Sequence, residues 1–154
     1  MPPVRRIVVG VDGSPASQRA LEWAADEAAR RGSALEVVHA EFARREFLSV
    51  YQRLQESEES LLERAVRLAR EMRPEVEVTG TMFEPPAAAA LVRASEGAEM
   101  LVVGSRGRSA LRNVSAGSVA MECAHLARCP VVIVRPDRVA ASGGRLSAQA
   151  AAGG

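Results

Sequence analysis

Short hydrophobic runs recur along the chain and alternate with longer segments in which apolar residues keep a helical spacing. Most of the runs are rich in Val and Ile, which is typical of strands buried on both faces of a parallel sheet. One run differs, because Val76 and Val78 alternate with Glu75 and Glu77, and this alternation indicates a half-exposed edge strand. The runs predict strands at residues 7–11, 35–40, around 76–78, 100–103 and 131–134.

The segments between the runs predict helices. The first begins where Ser14 can cap a helix with Pro15 at its first position, and Gly32 can end it in the left-handed conformation. The longest extends from about Phe47 to Met72, and we interpret its apolar stripe as a face packed on a sheet rather than a surface for a partner helix. The predicted helices cover residues 16–31, about 47–72, about 85–95 and about 117–127.

This alternation of strands and helices predicts an α/β fold. Strands separated by helices form parallel units with right-handed crossovers, so we expect a doubly wound sheet with helices on both faces. In such sheets, ligands bind beyond the carboxyl ends of the strands, where the winding reverses. Two distinctive segments follow strands, at residues 10–14 and from Gly104 onward, and they would face each other across that crevice.

The length of 154 residues predicts one domain, which we place at residues 1–136. Residues 137–154 are rich in Ser, Gly and Ala and predict a flexible C-terminal tail. Two cysteines do not make a disulfide framework, and no apolar run is long enough to span a membrane. With a net charge of +1, we expect a cytoplasmic protein that binds neither nucleic acid nor membranes.

All 20 basic residues are arginine, and the chain contains no lysine. A Walker A phosphate loop, a Schiff-base site and the usual protein-kinase site each need a lysine, so these chemistries are excluded. Any phosphate site in this chain must use backbone amides, hydroxyl groups and arginine.

The segment after the fourth strand has the composition of an anion site. It runs from Gly104 to about Ala116 before a helix begins, which is longer than most strand-to-helix loops. No acidic residue occurs between Glu99 and Glu122, whereas three arginines do. The composition alone leaves two interpretations open, an anion-binding loop and a plain loop with a solvated arginine face. The arginines are Arg106, Arg108 and Arg112.

Glycines in this segment suggest how an anion would be held. Gly104 and Gly107 let backbone amides approach an oxyanion without a Cβ in the way. Gly117 and Ser118 lie at a helix start, where unpaired N–H groups and the positive end of the helix dipole attract phosphate. The complete spacing, Gly-x2-Gly-x9-Gly-Ser, is more specific than any of its parts.

With this glycine spacing, the chain resembles the universal stress protein family over about residues 4–135. The resemblance rests on the opening Ile-Val-Val-Gly-Val-Asp-Gly-Ser, the Val-Val-His-Ala segment, the glycine spacing and the closing Cys-Pro-Val-Val-Ile-Val. It implies a Rossmann-like, adenine nucleotide α-hydrolase-like domain with a five-stranded parallel sheet of order 3-2-1-4-5. The glycine spacing is similar to that of the ATP-binding branch of the family.

The resemblance also implies a site for ATP, or for AMP or ADP, with Mg²⁺ or Mn²⁺ held through the phosphates. Residues near strands one and two would meet the nucleoside, and residues after strand four would meet the phosphates. At Ala120 the family often has a hydroxyl, so this chain lacks one possible donor. The implied site residues are Gly10, Val11, Asp12, Ala40, Val103, Gly104, Arg106, Gly107, Gly117, Ser118, Val119 and Ala120.

Other polar residues have simpler interpretations. Asp12 is either a ligand-binding carboxylate or a turn-capping residue before Ser-Pro, and His39 is interpreted as making a structural hydrogen bond. Cys123, His125 and Cys129 do not match the usual zinc spacing, so we expect no metal site there and a surface position for His125.

The last predicted strand, Val131, Val132, Ile133 and Val134, carries no charge, Gly or Pro. An unguarded edge strand tends to pair with another strand. Members of the family that the chain resembles dimerise through this strand, which implies a homodimer.

The leading functional hypothesis is an ATP-binding regulatory module of the stress response, whose nucleotide occupancy controls conformation or partner binding. A second hypothesis is a slow ATPase or self-phosphorylating enzyme, with Ser105, Ser109 or Ser115 accepting phosphate. No residue pair in the sequence is recognisable as a general base with a nucleophile, so no catalytic residue is predicted. A third hypothesis is a dimeric adaptor with an empty site.

Overall fold

Five parallel strands form one sheet in the computed structural model, which describes residues 4–41, 59–105 and 117–136. Their order across the sheet is β3-β2-β1-β4-β5, so the winding reverses between β1 and β4. The predicted α/β class and the order 3-2-1-4-5 are confirmed. The strands are β1 (Arg6–Gly10), β2 (Ala34–Ala40), β3 (Val78–Phe83), β4 (Met100–Gly104) and β5 (Val131–Val134).

Helices cover both faces of the sheet. Over the described ranges they are α1 (Pro15–Arg31), α2 (Leu61–Met72), α3 (Ala87–Ala94) and α4 (Ser118–Leu126). The helices α1 and α2 pack on one face, and α3 and α4 pack on the other. None of these described helices is long and apolar enough to cross a membrane.

The central strands β1 and β4 contain uninterrupted apolar runs, at residues 7–9 and 100–103, because both of their faces are covered. In β1, Ile7 and Val9 point into the core beneath α1 and α2, whereas Val8 points into the core beneath α3 and α4. All three side chains are fully buried. This two-sided burial is why the first strand could be recognised from its apolar run.

The first helix has the predicted ends. The Ser14 hydroxyl accepts a hydrogen bond from the Ser17 N–H at 3.2 Å, and Pro15 occupies the first helical position. At the other end, Gly32 adopts the left-handed conformation with φ of 64°. These ends place the first turn of α1 directly after the carboxyl end of β1.

The predicted helix over about 47–72 is wrong at Ser60. Ser60 has extended backbone angles and caps α2, whose first residue is Leu61. The Ser60 hydroxyl accepts from the Glu63 N–H at 3.2 Å, and the Glu63 carboxylate accepts from the Ser60 N–H at 2.9 Å. This capping box starts α2 within the apolar stripe. Residues 47–58 of the prediction lie outside the described residues.

The predicted third strand is displaced. Val76 belongs to a turn in which its N–H donates to the Arg73 carbonyl at 3.0 Å, and β3 begins at Val78. The strand continues to Phe83 beside β2. It lies at an edge of the sheet, as predicted, and its residues Thr79, Gly80 and Met82 are exposed. Because β3 contains Thr79, Gly80 and Thr81, it lacks the continuous apolar run found in β1 and β4.

Candidate functional site

The predicted site segments meet at the carboxyl edge of the sheet. Gly10 ends β1, Ala40 ends β2 and Gly104 ends β4. The N–H of Gly117 donates to the carbonyl of Ser105, which brings the start of α4 to the end of β4. Ten of the twelve predicted residues are described and lie on these segments. Arg106 and Gly107 lie outside the described residues.

The turn after β1 is fixed by a set of short-range hydrogen bonds. The Asp12 carboxylate accepts from the Ser14 N–H at 2.9 Å, and the Asp12 N–H donates to the Ser17 hydroxyl at 3.2 Å. The Ser17 hydroxyl in turn donates to the Ser14 carbonyl at 3.1 Å. Asp12 therefore has the turn-capping role that the sequence offered as one interpretation, and it remains partly exposed at this edge.

His39 links the ends of β1 and β2. Its Nδ1 lies 2.7 Å from the carbonyl oxygen of Val11, and its Nε2 lies 3.3 Å from a carboxylate oxygen of Glu41. The ring is buried, and the Val11 N–H donates to the Val38 carbonyl at 2.9 Å. The structural hydrogen bond predicted for His39 is confirmed. Through it, Val11 is attached to β2 by both of its backbone polar groups.

Gly104 is needed for packing at the end of β4. A Cβ on this residue would lie 2.7 Å from the carbonyl carbon of Ala16 and 2.8 Å from the amide nitrogen of Ser17. The first turn of α1 therefore contacts the backbone of β4 directly. The sequence identified the right residue, but the structure adds a reason that the spacing did not reveal.

Several predicted site residues point their side chains into the core. Val11 and Val103 are buried, and Ala120 is 2% exposed against α3 and the sheet. A hydroxyl-bearing side chain at position 120 would therefore lie in the core, where Ala120 has its methyl group. The donor that Ala120 can present to a ligand is its backbone N–H. Ser118 and Val119 are exposed.

The start of α4 has the polarity of an anion site. Gly117 is its N-cap, and within the described residues no side chain caps the helix and no acidic residue occurs in its first turn. The first intrahelical bond runs from the Met121 N–H to the Gly117 carbonyl at 3.1 Å. The preceding N–H groups have no acceptor within the helix and lie at the positive end of its dipole.

A cavity of about 280 Å³ opens between α1 and α2 beside Val11. It is lined by Ser17 and Gln18 from α1 and by Leu61 and Arg64 from α2, among others. The sequence did not indicate this space. Arg64 is itself exposed and is one of several arginines on an amphipathic helix, so no local pattern in the sequence marks it as a cavity residue.

The cysteines do not form a binding site with His125. Cys123 is fully buried, and burial raises the pKa of its thiol to about 11, whereas His125 is exposed on α4 as predicted. Across the described ranges, no group of three His, Cys, Asp or Glu side chains could hold a metal ion. Ser105, one of the predicted phosphate acceptors, is only 2% exposed.

The chain is similar in sequence and in structure to known proteins. The model of the universal stress protein family matches residues 3–135. A universal stress protein of Mycobacterium tuberculosis is 40% identical over 136 residues, which cover 84% of this chain and 45% of the relative. The chain thus spans about half the length of the curated relatives it matches.

Two solved structures are similar over most of their length. A universal stress protein in complex with cAMP has 26% identity and a TM-score of 0.67, with 87% of this chain and 98% of that chain covered. The universal stress protein of Archaeoglobus fulgidus in complex with dAMP also has 26% identity, with a TM-score of 0.62. That match covers 84% of this chain and 97% of the other.

Proposed function

The chain belongs to the universal stress protein family, and we propose on that premise that the carboxyl edge of its sheet binds an adenine nucleotide, with ATP as the leading candidate. The observation that carries the proposal is the convergence of the β1, β2 and β4 ends with the start of α4. Two relatives with 26% identity bind cAMP and dAMP, which supports the adenine class.

The phosphates would lie against the start of α4. The N–H groups of Ser118, Val119 and Ala120 have no acceptor within the helix, and the Ser118 hydroxyl adds an exposed donor. Val103 and Gly104 supply the end of β4 beside them. Arg106 and Gly107 belong to the proposed site through their spacing in the sequence.

The nucleoside would lie across the ends of β1 and β2. Gly10 and Val11 form one side and Ala40 the other, with the Asp12 carboxylate accepting hydrogen bonds at the nucleoside end of the ligand. The hydrogen bonds of the Asp12 turn hold this carboxylate at the edge before any ligand arrives. Such preorganisation lowers the entropy lost on binding.

A divalent cation, Mg²⁺ or Mn²⁺, would be held mainly through phosphate oxygens. Residues 100–121 contain no acidic side chain, so the phosphate end of the site offers no carboxylate ligand. Among the twelve proposed site residues, the one carboxylate is that of Asp12, at the nucleoside end. The cation would neutralise phosphate charge in a chain that has no lysine for this purpose.

We propose a regulatory role rather than catalytic turnover, with nucleotide occupancy controlling conformation or partner choice. A phosphate acceptor must reach the terminal phosphate, whereas Ser105 is 2% exposed and its N–H donates to the Val134 carbonyl. The other two predicted acceptors, Ser109 and Ser115, lie outside the described residues. No described histidine is placed as a base for Ser105, because His39 contacts Val11 and Glu41 and His125 is exposed on α4.

Mass spectrometry of nucleotide released from the purified protein, together with thermal denaturation in millimolar MgATP, tests this function. We expect bound ATP, ADP or AMP, and a higher melting temperature with MgATP. Gly117→Val should abolish both, because its extended backbone accommodates valine while the side chain would obstruct the helix start. Ala124→Val, an exposed position on the same helix, is the matched control.

Two results would contradict the regulatory nucleotide site. One is the absence of any co-purified nucleotide combined with no thermal shift in MgATP. The other is ADP accumulation that Asp12→Ala removes, since that result would support an enzyme instead.

We also propose a homodimer through β5. The Leu101 N–H donates to the Pro130 carbonyl and the Ser105 N–H donates to the Val134 carbonyl, so the backbone groups of Val131 and Ile133 face away from β4. Beside this edge, α4 exposes Met121 and Leu126. A second copy of β5 would satisfy the backbone groups, and its α4 would cover the apolar side chains.

A further inference from the structure

We propose that His39 is a positioning residue for the nucleoside end of the site and that it acts through the carbonyl of Val11. This inference rests on the proposed nucleotide function. His39 lies between the two segments assigned to the nucleoside, because it is adjacent to Ala40 in β2 and contacts Val11 beyond the end of β1. The side chain itself is buried and need not touch the ligand.

The contact with Val11 determines which ring nitrogen of His39 carries a proton. A carbonyl oxygen only accepts hydrogen bonds, so the 2.7 Å contact requires a proton on Nδ1. The contact with the Glu41 carboxylate at Nε2 requires a second proton, because a neutral ring would present a lone pair to an anion. The Val11 bond therefore exists in both charge states of the ring, and the Glu41 bond exists only in the charged state.

Val11 is the point at which the chain leaves β1 and turns toward Asp12. Its N–H is bonded to Val38 and its carbonyl to His39, so two bonds from β2 fix the orientation of the Val11 peptide. Val11 is 8% exposed, and without His39 its carbonyl would have to find another partner or remain unpaired in a buried position. Loss of the His39 bond would let this peptide rotate and would move the Asp12 turn.

Two amide variants separate the two ring nitrogens. In His39→Asn the side-chain NH2 lies close to the position of Nδ1 and can still donate to Val11. In His39→Gln the amide extends to the position of Nε2 and cannot. Isothermal titration with MgATP should give a dissociation constant within about threefold of the wild type for Asn and about tenfold weaker for Gln. Thermal denaturation of the unliganded variants should show that both are folded.

A nucleotide-free measurement completes the test. Long-range ¹H–¹⁵N NMR of the histidine rings in the unliganded protein should show a proton on Nδ1 of His39, because this nitrogen contacts the Val11 carbonyl. The inference is overturned if the neutral ring carries its proton on Nε2, or if Gln binds MgATP as tightly as Asn. Failure of the wild-type protein to bind any adenine nucleotide would instead overturn the proposed function, and this inference with it.

Discussion

The Ser33 hydroxyl donates a hydrogen bond to the Glu99 carboxylate, although 66 positions separate the two residues in sequence. Arg5 donates to the same carboxylate through Nε at 2.9 Å and Nη2 at 2.5 Å. These contacts join the segments that enter β1, β2 and β4. They fasten the amino edge of the sheet, opposite the edge where the proposed site lies.

Glu99 should make the stability of the protein depend on acid pH. The Ser33 hydrogen bond, helped by Arg5 and Arg31 and opposed by burial, holds the pKa of Glu99 below its ordinary value of 4.5. Because the pKa of Glu99 is lower in the folded state, its ionised carboxylate stabilises the fold at any pH above the ordinary pKa of 4.5. This contribution is lost as the pH falls through the folded-state pKa. The stability difference between wild type and Glu99→Gln should be full at neutral pH and should shrink below about pH 4.5.

Urea unfolding of the two proteins from about pH 3 to pH 7 measures this difference. Repeating the comparison in a Ser33→Ala background should give a smaller pH dependence, because the largest cause of the lowered pKa is then absent. A stability difference that stays constant down to pH 3 would show that folding does not lower the pKa of Glu99.

Alanine at Gly104 should destabilise the protein more than alanine at Gly10. At Gly104 the added Cβ meets the backbone of Ala16 and Ser17, which cannot move without shifting α1. At Gly10 it meets the Leu91 side chain at 2.8 Å, and that side chain can change its rotamer. We expect a loss of about 1–3 kcal/mol for Gly104→Ala and about 1 kcal/mol or less for Gly10→Ala. Equal losses in urea unfolding would refute the direct helix contact.

Cys123 should be much less reactive than Cys129 in the folded protein. Its pKa is raised to about 11, first by burial and then by the nearby Glu122, so little thiolate exists at pH 8. Cys129 is only partly buried. Peptide mass spectrometry after a timed reaction with iodoacetamide should find Cys129 labelled first and both labelled in urea. Equal labelling rates in the native protein would contradict the burial of Cys123.

Met121→Glu should weaken the proposed dimer, because α4 lies beside the β5 edge and Met121 is 47% exposed there. Met82→Glu is the matched control, since Met82 is 48% exposed on β3 at the opposite edge of the sheet. Sedimentation velocity should show a dimer for the wild type and Met82→Glu, and monomer for Met121→Glu. A monomeric wild type, or dissociation by the Met82 variant instead, would exclude the β5 interface.

The parts of the fold that the sequence predicted correctly are those decided by local pattern. Ile7, Val8 and Val9 are buried from both faces, so an uninterrupted apolar run was sufficient to locate β1. The edge strand β3 was placed too early because an edge strand is covered unevenly, and the alternation at Val76 belongs to the turn before it. The helix predicted over residues 47–72 fails at Ser60, which has extended backbone angles and caps the helix that begins at Leu61. This cap depends on the reciprocal hydrogen bonds between Ser60 and Glu63.

The sequence predicted which residues lie at the candidate site better than it predicted the contacts that explain their roles. Gly104 was identified from the glycine spacing, but its contact with Ala16 joins elements that are distant in sequence and could not be inferred from either segment. The contact of His39 with Val11 depends in the same way on the pairing of β1 with β2. Local spacing predicts which residues reach the carboxyl edge, whereas contacts between elements determine what each of them does.

Titration of ¹⁵N-labelled protein with MgATP, followed by amide NMR, tests the proposed nucleotide site most directly. We predict saturable shifts at the amides of Val11, Asp12 and Ala40 and at Gly104, Ser105 and Ser118, with little change at Ser33 and Glu99 on the opposite edge. Absence of saturable shifts in millimolar MgATP, or shifts concentrated away from the carboxyl edge of the sheet, would contradict a nucleotide site at this position.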